Sequence, residues 1–274
     1  MPELPEVETI RRDLARELPG RRIVQAGATG ARSIRRHPDP VSFRAAVEGT
    51  TVEAVRRWGK YLLLDLSRPA PASVVVHLGM SGQLLLSSTT APVVPHTHVV
   101  LGLDDGRDLR FVDPRTFGEV FVGSDASLAH LGVDAVDGLH SGAQLAAMLA
   151  RRNTRLKPLL MDQGFLAGIG NIYSDEILHA ARLRYDRTSG SLSPADVRRL
   201  YRAMTGVLRS AIEQRGSSLA DSQYRDAFGA VGSYQLSHRV YGRQGGGCFR
   251  CPRSTIVRVK TGGRSTFFCP GCQH

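Results

Sequence analysis

Residues 248–272 read CFRCPRSTIVRVKTGGRSTFFCPGC, and they hold all four cysteines of the chain. Cys248 and Cys251 are separated by two residues, Cys251 and Cys269 by seventeen, and Cys269 and Cys272 again by two. This is the spacing of a zinc ribbon. Each C-x2-C pair forms a tight turn that presents two thiolates to one metal ion, and the two pairs together close an all-thiolate tetrahedral shell. A full shell leaves no open position for water, so the pattern predicts one structural zinc ion rather than a catalytic one. Disulfides are the competing reading. They require an oxidising compartment, whereas MPELPEVETI at 1–10 carries Glu3, Glu6 and Glu8 where a secretory signal needs a basic and then an apolar stretch. The chain therefore reads as intracellular. Thr261, Gly262 and Gly263 mark a turn between the cysteine pairs.

Upstream of the ribbon, residues from about 130 to 216 read as helical. Ser193 is a suitable N-cap, Pro194 suits the first helical position and Asp196 follows in the first turn. Val197, Leu200, Tyr201, Met204, Leu208, Ala211 and Ile212 then mark one apolar face, with Gly216 at the stop. Leu156–Met161 and Ile172–Ala181 read as two helices joined by DQGFLAGIGN. Residues 217–232 have no period and read as a long loop, which in a compact protein is usually functional or mobile.

The first zone, to about residue 125, opens with a helix carrying Leu4, Val7, Ile10, Leu14 and Leu18, stopped by Gly20. Strand-like runs follow at Tyr61–Leu66, Ser73–Leu78, Gln83–Ser87, His98–Leu103, Leu109–Val112 and Glu119–Val122. Turn residues punctuate them at roughly ten-residue intervals, the rhythm of an antiparallel sandwich or barrel. The expected fold is α+β and multidomain: a catalytic β-sandwich domain over 1–125, a helical domain over 130–222 and a zinc finger over 239–274.

Thirty-six basic residues stand against twenty-five acidic ones, a net charge of +11 over 274 residues. Only Lys60, Lys157 and Lys260 are lysines, so thirty-three of the basic residues are arginines, whose planar fork suits phosphate and base edges. The balance points to a polyanion such as nucleic acid as partner. No run approaches eighteen apolar residues, so no helical membrane span is expected.

Pro2 follows Met1, and trimming of the methionine would leave a secondary amine at the N-terminus. An α-amino group has a pKa of about 7.7–8.0, which leaves a usable neutral fraction near neutrality. Such an amine can attack an electrophilic carbon and form an iminium. Glu3 and Glu6 stand beside it as acid–base groups. Proline and glutamate at a helix start are otherwise ordinary, because they complement the helix dipole.

Seven motifs in order give the chain a resemblance to the formamidopyrimidine-DNA glycosylase family. They are PELPEVE at 2–8, GKYLL at 59–63, HLGMSG at 77–82, DPRTFG at 113–118, GIGNIY at 168–173, VYGR at 240–243 and the cysteine ribbon with Arg264 inside it. The resemblance implies an N-terminal β-sandwich, a helix–two-turn–helix domain and a zinc-finger hairpin, with damaged double-stranded DNA in the cleft between them. It implies a bifunctional enzyme of base excision repair that removes oxidised purines and then nicks the strand. The expected location is cytoplasmic and nucleoid-associated, and nothing in the sequence suggests more than a monomer.

By the same resemblance Pro2 is the nucleophile and Glu3 the acid for base loss and ring opening. Lys60 serves proton transfer in β-elimination, and Arg264 serves δ-elimination, more as an electrostatic clamp than as an acid because arginine does not lose its proton. Met80, Arg115 and Phe117 match the triad that fills the void left by a flipped nucleotide. His96, Arg152, Asn171 and Tyr241 resemble phosphate contacts, and Lys157 is counted with them as DNA-binding. Two positions depart from the family pattern: Thr116 stands where a second basic residue is common, and the 217–232 loop lacks the usual Asp-Gly-x-Pro-Gly ending. The alternatives are an endonuclease VIII-like glycosylase acting on oxidised pyrimidines, and a non-catalytic zinc-ribbon DNA-binding protein.

Overall fold

The apolar stripe of the first helix and the alternating strands that follow it build one core. A computed structural model describes residues 2–67, 72–219, 224–251 and 253–274. Contacts divide the chain into two units: Met1–Ala129 with Gln214–Ser233, and His130–Glu213 with Tyr234–His274.

In the first unit, helix α1 (Leu4–Glu17) precedes strand β1 (Ile23–Ala28) and helix α2 (Pro40–Val47). Strands β2 (Val52–Trp58), β3 (Tyr61–Leu66), β4 (Ala72–His77), β5 (Gln83–Ser88), β6 (Thr97–Leu103), β7 (Arg107–Val112) and β8 (Glu119–Gly123) follow. They form two four-stranded antiparallel sheets, ordered β1-β6-β7-β5 and β2-β3-β4-β8. Leu62, Leu64, Leu66, Val74 and Val76 of one sheet share a single buried cluster with Leu84, Val99, Leu101, Leu109 and Phe111 of the other. Val7, Ile10, Leu14 and Leu18, with Phe43 and Val47 of α2, complete it. This is the expected β-sandwich with a flanking helix. The expected strands are all present, within one or two residues at their ends. β1, β2 and α2 lie outside the sequence expectation; β1 and β2 bury their side chains irregularly and carry only a weak alternating signal.

The last residues of the expected 130–222 helical range pack with the first unit instead. Arg215 explains this: its guanidinium reaches Asp13 of α1 at 2.6 Å and Asp226 at 2.5 Å. The segment expected as a loop over 217–232 is well anchored beyond residue 223. Tyr224 and Ala227 belong to the buried cluster, and the amide of Leu86 donates to the carbonyl of Ala227 at 2.8 Å. Residues 220–223 of that loop lie outside the described residues.

The second unit holds β9 (Val133–Asp134), α3 (Gly142–Ala150), α4 (Leu156–Met161), β10 (Leu166–Ala167), α5 (Asn171–Ala181) and α6 (Pro194–Glu213). α6 begins as its sequence dictates: Ser193 Oγ accepts the Asp196 amide at 3.2 Å, and an Asp196 carboxylate oxygen accepts the Ser193 amide at 3.0 Å. Its expected face is buried except at Tyr201, which is half-buried. The DQGFLAGIGN connection is more than a loop, because Leu166 and Ala167 pair in parallel with Val133 and Asp134. The chain ends in an antiparallel hairpin of β11 (Val257–Thr261) and β12 (Arg264–Phe268). Its two-residue turn requires positive φ at both Gly262 (55°) and Gly263 (76°), a geometry that glycine adopts without strain.

Candidate functional site

In the first unit, α1 starts with its acidic residues turned inward. Pro2 is buried, and Glu3, the N-cap of α1, is 1% exposed. Glu6, expected as an acid–base group, instead has both carboxylate oxygens engaged by backbone amides. One accepts from Glu3 at 2.8 Å and the other from Ser217 at 2.7 Å. A Cβ on Gly216 would come within 2.7 Å of that second oxygen, so a glycine is needed there (φ +77°). This geometry makes Glu6 a positioning group, one that fixes the chain entering α1 and the start of the 217–232 segment.

Glu8 and Arg57, which the sequence reading passed over, carry a second piece of architecture. The Arg57 side chain is buried; its Nε lies 3.1 Å from Glu8, and its Nη1 donates to the carbonyl of Gly59 at 3.0 Å. Gly59 and Lys60 form the turn between β2 and β3, where Trp58 pairs with Tyr61. The bridge therefore holds the turn that carries Lys60 to the first turns of α1. Burial by itself would raise the Glu8 pKa, but hydrogen bonds from Arg11 and Arg12 and the charge of Arg57 bring it down to about 2. Beside the turn, burial first and the charge of Lys60 second push His77 down to about 4, so its imidazole is neutral. Lys60 itself is buried.

Asp113 gathers the loops that bear Met80, His96, Arg115 and Phe117. Its Oδ1 accepts the hydroxyl of Ser81 at 2.7 Å and the amide of Arg115 at 3.2 Å, and its Oδ2 accepts the amide of Gly118 at 2.8 Å. Its own amide donates to the carbonyl of His96 at 3.0 Å. A Cβ on Gly79 would meet the Gly118 nitrogen at 2.5 Å and the Phe117 carbonyl carbon at 2.6 Å, so the two loops touch backbone to backbone. His96 and Thr116 both hold positive φ, at 65° and 53°. Such strain at non-glycine residues persists only where the surroundings over-determine it, as this network does. The network holds Met80 and Phe117 outward, 38% and 44% exposed, with the exposed Arg115 guanidinium 5.1 Å from the Phe117 ring centroid. Met80 and Phe117 are thus not core residues.

In the second unit, Asn171 opens α5, and its Oδ1 is buried without a hydrogen-bond partner among the described residues. The turn before it is set by Gln163. Its carbonyl accepts the Gly168 amide at 2.9 Å, and its amide donates to Met161 and Ile169, each at 2.8 Å. Tyr241 is positioned by Glu176, whose carboxylate accepts the amides of Arg239, Val240 and Tyr241 at 2.8–2.9 Å. Arg152 is exposed just beyond α3, and Arg264 is exposed at the tip of the β11–β12 hairpin.

Lys157 departs from its expected role at the DNA. It is 2% exposed; its Nζ lies 2.7 Å from Asp175 and donates to the carbonyl of Ser265 at 3.0 Å. The other Asp175 oxygen accepts the amide of Phe267 at 2.8 Å. The pair fastens strand β12 to α5 from below, and its ammonium is spent on that task.

The four cysteine sulfurs lie within 4.8 Å of one another and form no disulfide. Cys248 and Cys272 are 3.9 Å apart and Cys251 and Cys269 are 3.1 Å apart. A tetrahedral zinc–thiolate centre has sulfur–sulfur edges of about 3.8 Å, from bonds of about 2.3 Å. The Cys248–Cys272 separation is close to that edge and the Cys251–Cys269 pair lies closer, and the four grouped sulfurs can hold a metal ion as in a zinc finger.

A β-sandwich with a buried acidic helix start, a helical unit and a four-cysteine hairpin define a DNA glycosylase of the helix–two-turn–helix type. The family model for the formamidopyrimidine-DNA glycosylase N-terminal domain matches residues 1–120, and that for the formamidopyrimidine-DNA glycosylase H2TH domain matches residues 131–223. The formamidopyrimidine-DNA glycosylase of Pelotomaculum thermopropionicum is 41% identical over 279 residues, covering all of this chain and 99% of that protein. Among solved structures, the MutM (Fpg) protein of Thermus thermophilus superposes with a TM-score of 0.87 at 39% identity, covering 99% of this chain and 98% of that one. A Lactococcus lactis FPG mutant in complex with a Fapy-dG containing DNA superposes with a TM-score of 0.89 at 30% identity over the whole of both chains. The chain belongs to the formamidopyrimidine-DNA glycosylase family and is a DNA glycosylase of base excision repair. Membership decides against the non-catalytic zinc-ribbon alternative.

Proposed function

We propose that the protein removes oxidised purines, 8-oxoguanine and formamidopyrimidines, from double-stranded DNA and cleaves the strand through a Schiff base on Pro2. The observation that carries this reading is the buried start of α1, where Pro2 and Glu3 sit at a helix N-terminus and the Glu8–Arg57–Gly59 bridge holds the Lys60 turn. With Met1 removed, the neutral Pro2 nitrogen attacks C1′ of the flipped nucleotide. The glycosidic bond breaks toward the base, Glu3 supplies a proton as the sugar ring opens, and an iminium remains. That cation draws electrons from C2′: loss of a C2′ proton expels the 3′ phosphate, and a second elimination expels the 5′ phosphate. Lys60 handles the proton in the first elimination and holds a phosphate, while Arg264 clamps the phosphate in the second.

Met80 and Phe117 fill the gap left by the extruded nucleotide, and the Arg115 fork pairs with the orphaned base. His96, Arg152, Asn171 and Tyr241 contact phosphates. Asn171 is the first residue of α5, where backbone N–H groups and a side-chain NH2 donor suit an anion. The metal of the four-cysteine cluster is one zinc ion with a structural role. The enzyme acts as a cytoplasmic, nucleoid-associated monomer, and no helix among the described residues is long and apolar enough to cross a membrane.

Single-turnover assays on duplexes carrying an oxidised guanine or an oxidised pyrimidine test the substrate. Faster excision of the purine is expected, and the reverse order would replace this reading with the endonuclease VIII-like one. Glu3→Gln should slow excision of an intact lesion far more than cleavage at a preformed abasic site.

A further inference from the structure

Helix α5 is the post to which the C-terminal segment is tied. Asp175 holds strand β12 and Glu176 holds residues 239–241, through the hydrogen bonds already described. His179 lies four residues beyond Asp175 and three beyond Glu176, on the same side of the helix. Its Nε2 is 3.5 Å from the sulfur of Cys248. We infer that His179 is an outer-sphere partner of the metal centre, donating its Nε2–H to the Cys248 thiolate and so coupling the metal to the helix that opens with Asn171.

The inference rests on the zinc reading and extends it to a residue outside the ligand set. Four thiolates around a divalent ion carry a net double negative charge, and Cys248, Cys269 and Cys272 are all buried. Charge buried in this way needs hydrogen-bond donors, because water does not reach it. Besides the cysteines themselves, Ser254, Arg250 and His179 stand within hydrogen-bonding range of the sulfurs among the described residues. Ser254 Oγ is 3.4 Å from Cys269, Arg250 Nη1 is 3.9 Å from Cys272, and His179 faces Cys248. Arg250 is exposed and Ser254 half-exposed, so these two donors stand on the solvent side of the cluster. His179 is 3% exposed, so removing its N–H leaves the Cys248 thiolate with no substitute from solvent. Arg250 also closes the loop from the other side, donating to the carbonyl of His179 at 2.8 Å.

The test uses the full chain in three forms: unmodified, His179→Phe, which keeps the ring and removes the donor, and His179→Gln, which returns an N–H. Zinc content of the unmodified protein is measured first, and a chain that binds no zinc would end the zinc reading and this inference together. Given one bound zinc, chelator competition should show affinity falling on the order of 10-fold or more in His179→Phe, with recovery in His179→Gln. In the cobalt-substituted proteins the sulfur-to-metal charge-transfer band should move to lower energy in His179→Phe and return in His179→Gln. Affinity and band position equal in all three would overturn the inference while leaving the zinc reading intact. If His179→Phe does not fold, NMR of the unmodified protein loaded with an NMR-active cadmium isotope decides the matter. A His179 Nε2 proton coupled to the metal is expected, and its absence would refute the hydrogen bond.

Discussion

The hydroxyl of Ser81 donates to Oδ1 of Asp113 at 2.7 Å, and that bond joins the loop of Met80 to the loop of Arg115 and Phe117. Asp113→Ala removes the acceptor for Ser81 and for the amides of Arg115 and Gly118 at once. Leaving such groups unsatisfied costs on the order of 1–3 kcal/mol each. A clear fall in melting temperature is expected, together with weakened binding to a duplex bearing an abasic-site analogue. Met80→Ala and Phe117→Ala should behave differently: both residues are exposed, so the melting temperature should hold while lesion binding and excision fall. Calorimetry and titration on the same samples separate the two outcomes.

Acid stability reports on the Glu8 carboxylate and the arginines that hold it ionised, Arg11 and Arg12 first and Arg57 after them. Glu8 titrates at about 2 in the folded protein against an ordinary value of 4.5, so its contribution is present above 4.5 and is lost as pH falls toward 2. The shift corresponds to roughly 3 kcal/mol, at about 1.36 kcal/mol per unit. Denaturant titrations between pH 2 and 7 should show a much shallower acid limb in Glu8→Gln than in the unmodified protein. Equal limbs would mean that these arginines do not hold Glu8 ionised in the folded protein.

Removing the metal should affect the two units unequally. A four-cysteine hairpin has too little core of its own to fold without its ion. Chelation, or Cys269→Ser, should abolish DNA binding while the sandwich keeps its cooperative unfolding transition. Normal cleavage of lesion-bearing duplex by the metal-free protein would remove Arg264 from the mechanism.

The +11 charge and the formal cations Lys60, Arg152 and Arg264, with a few more arginines, predict salt-sensitive binding to undamaged duplex. Neutralising about four to six phosphates gives a log–log slope of roughly −4 to −5. A slope near zero in binding assays across salt concentrations would contradict the assigned phosphate contacts.

What the sequence revealed, and what it hid, follows from how each residue signals itself. The cysteine spacing, the stripe of α1 and the Ser193–Pro194 start of α6 are local patterns, and the structure carries all three. Met80 and Phe117 were legible only through the motifs around them, since an apolar residue does not announce that it is exposed. Nothing local to Lys157 marks it as buried; its pairing with Asp175, eighteen positions away, is a tertiary fact. Glu6, Glu8 and Arg57 likewise owe their roles to partners far along the chain, such as Ser217 for Glu6 and Arg57 for Glu8. The packing of Tyr224 and Ala227 could not be read from a segment without period, because two buried residues in a loop form no pattern.

The account turns on Pro2 as the nucleophile, and borohydride trapping tests it most directly. Borohydride reduces an iminium to a stable amine, so it should cross-link the protein to lesion-containing DNA one to one. Peptide mapping should place the adduct on residue 2, and a form extended by one uncleaved N-terminal residue should give none. An adduct on Lys60 or Lys157, or full lyase activity in protein that demonstrably retains Met1, would contradict the account.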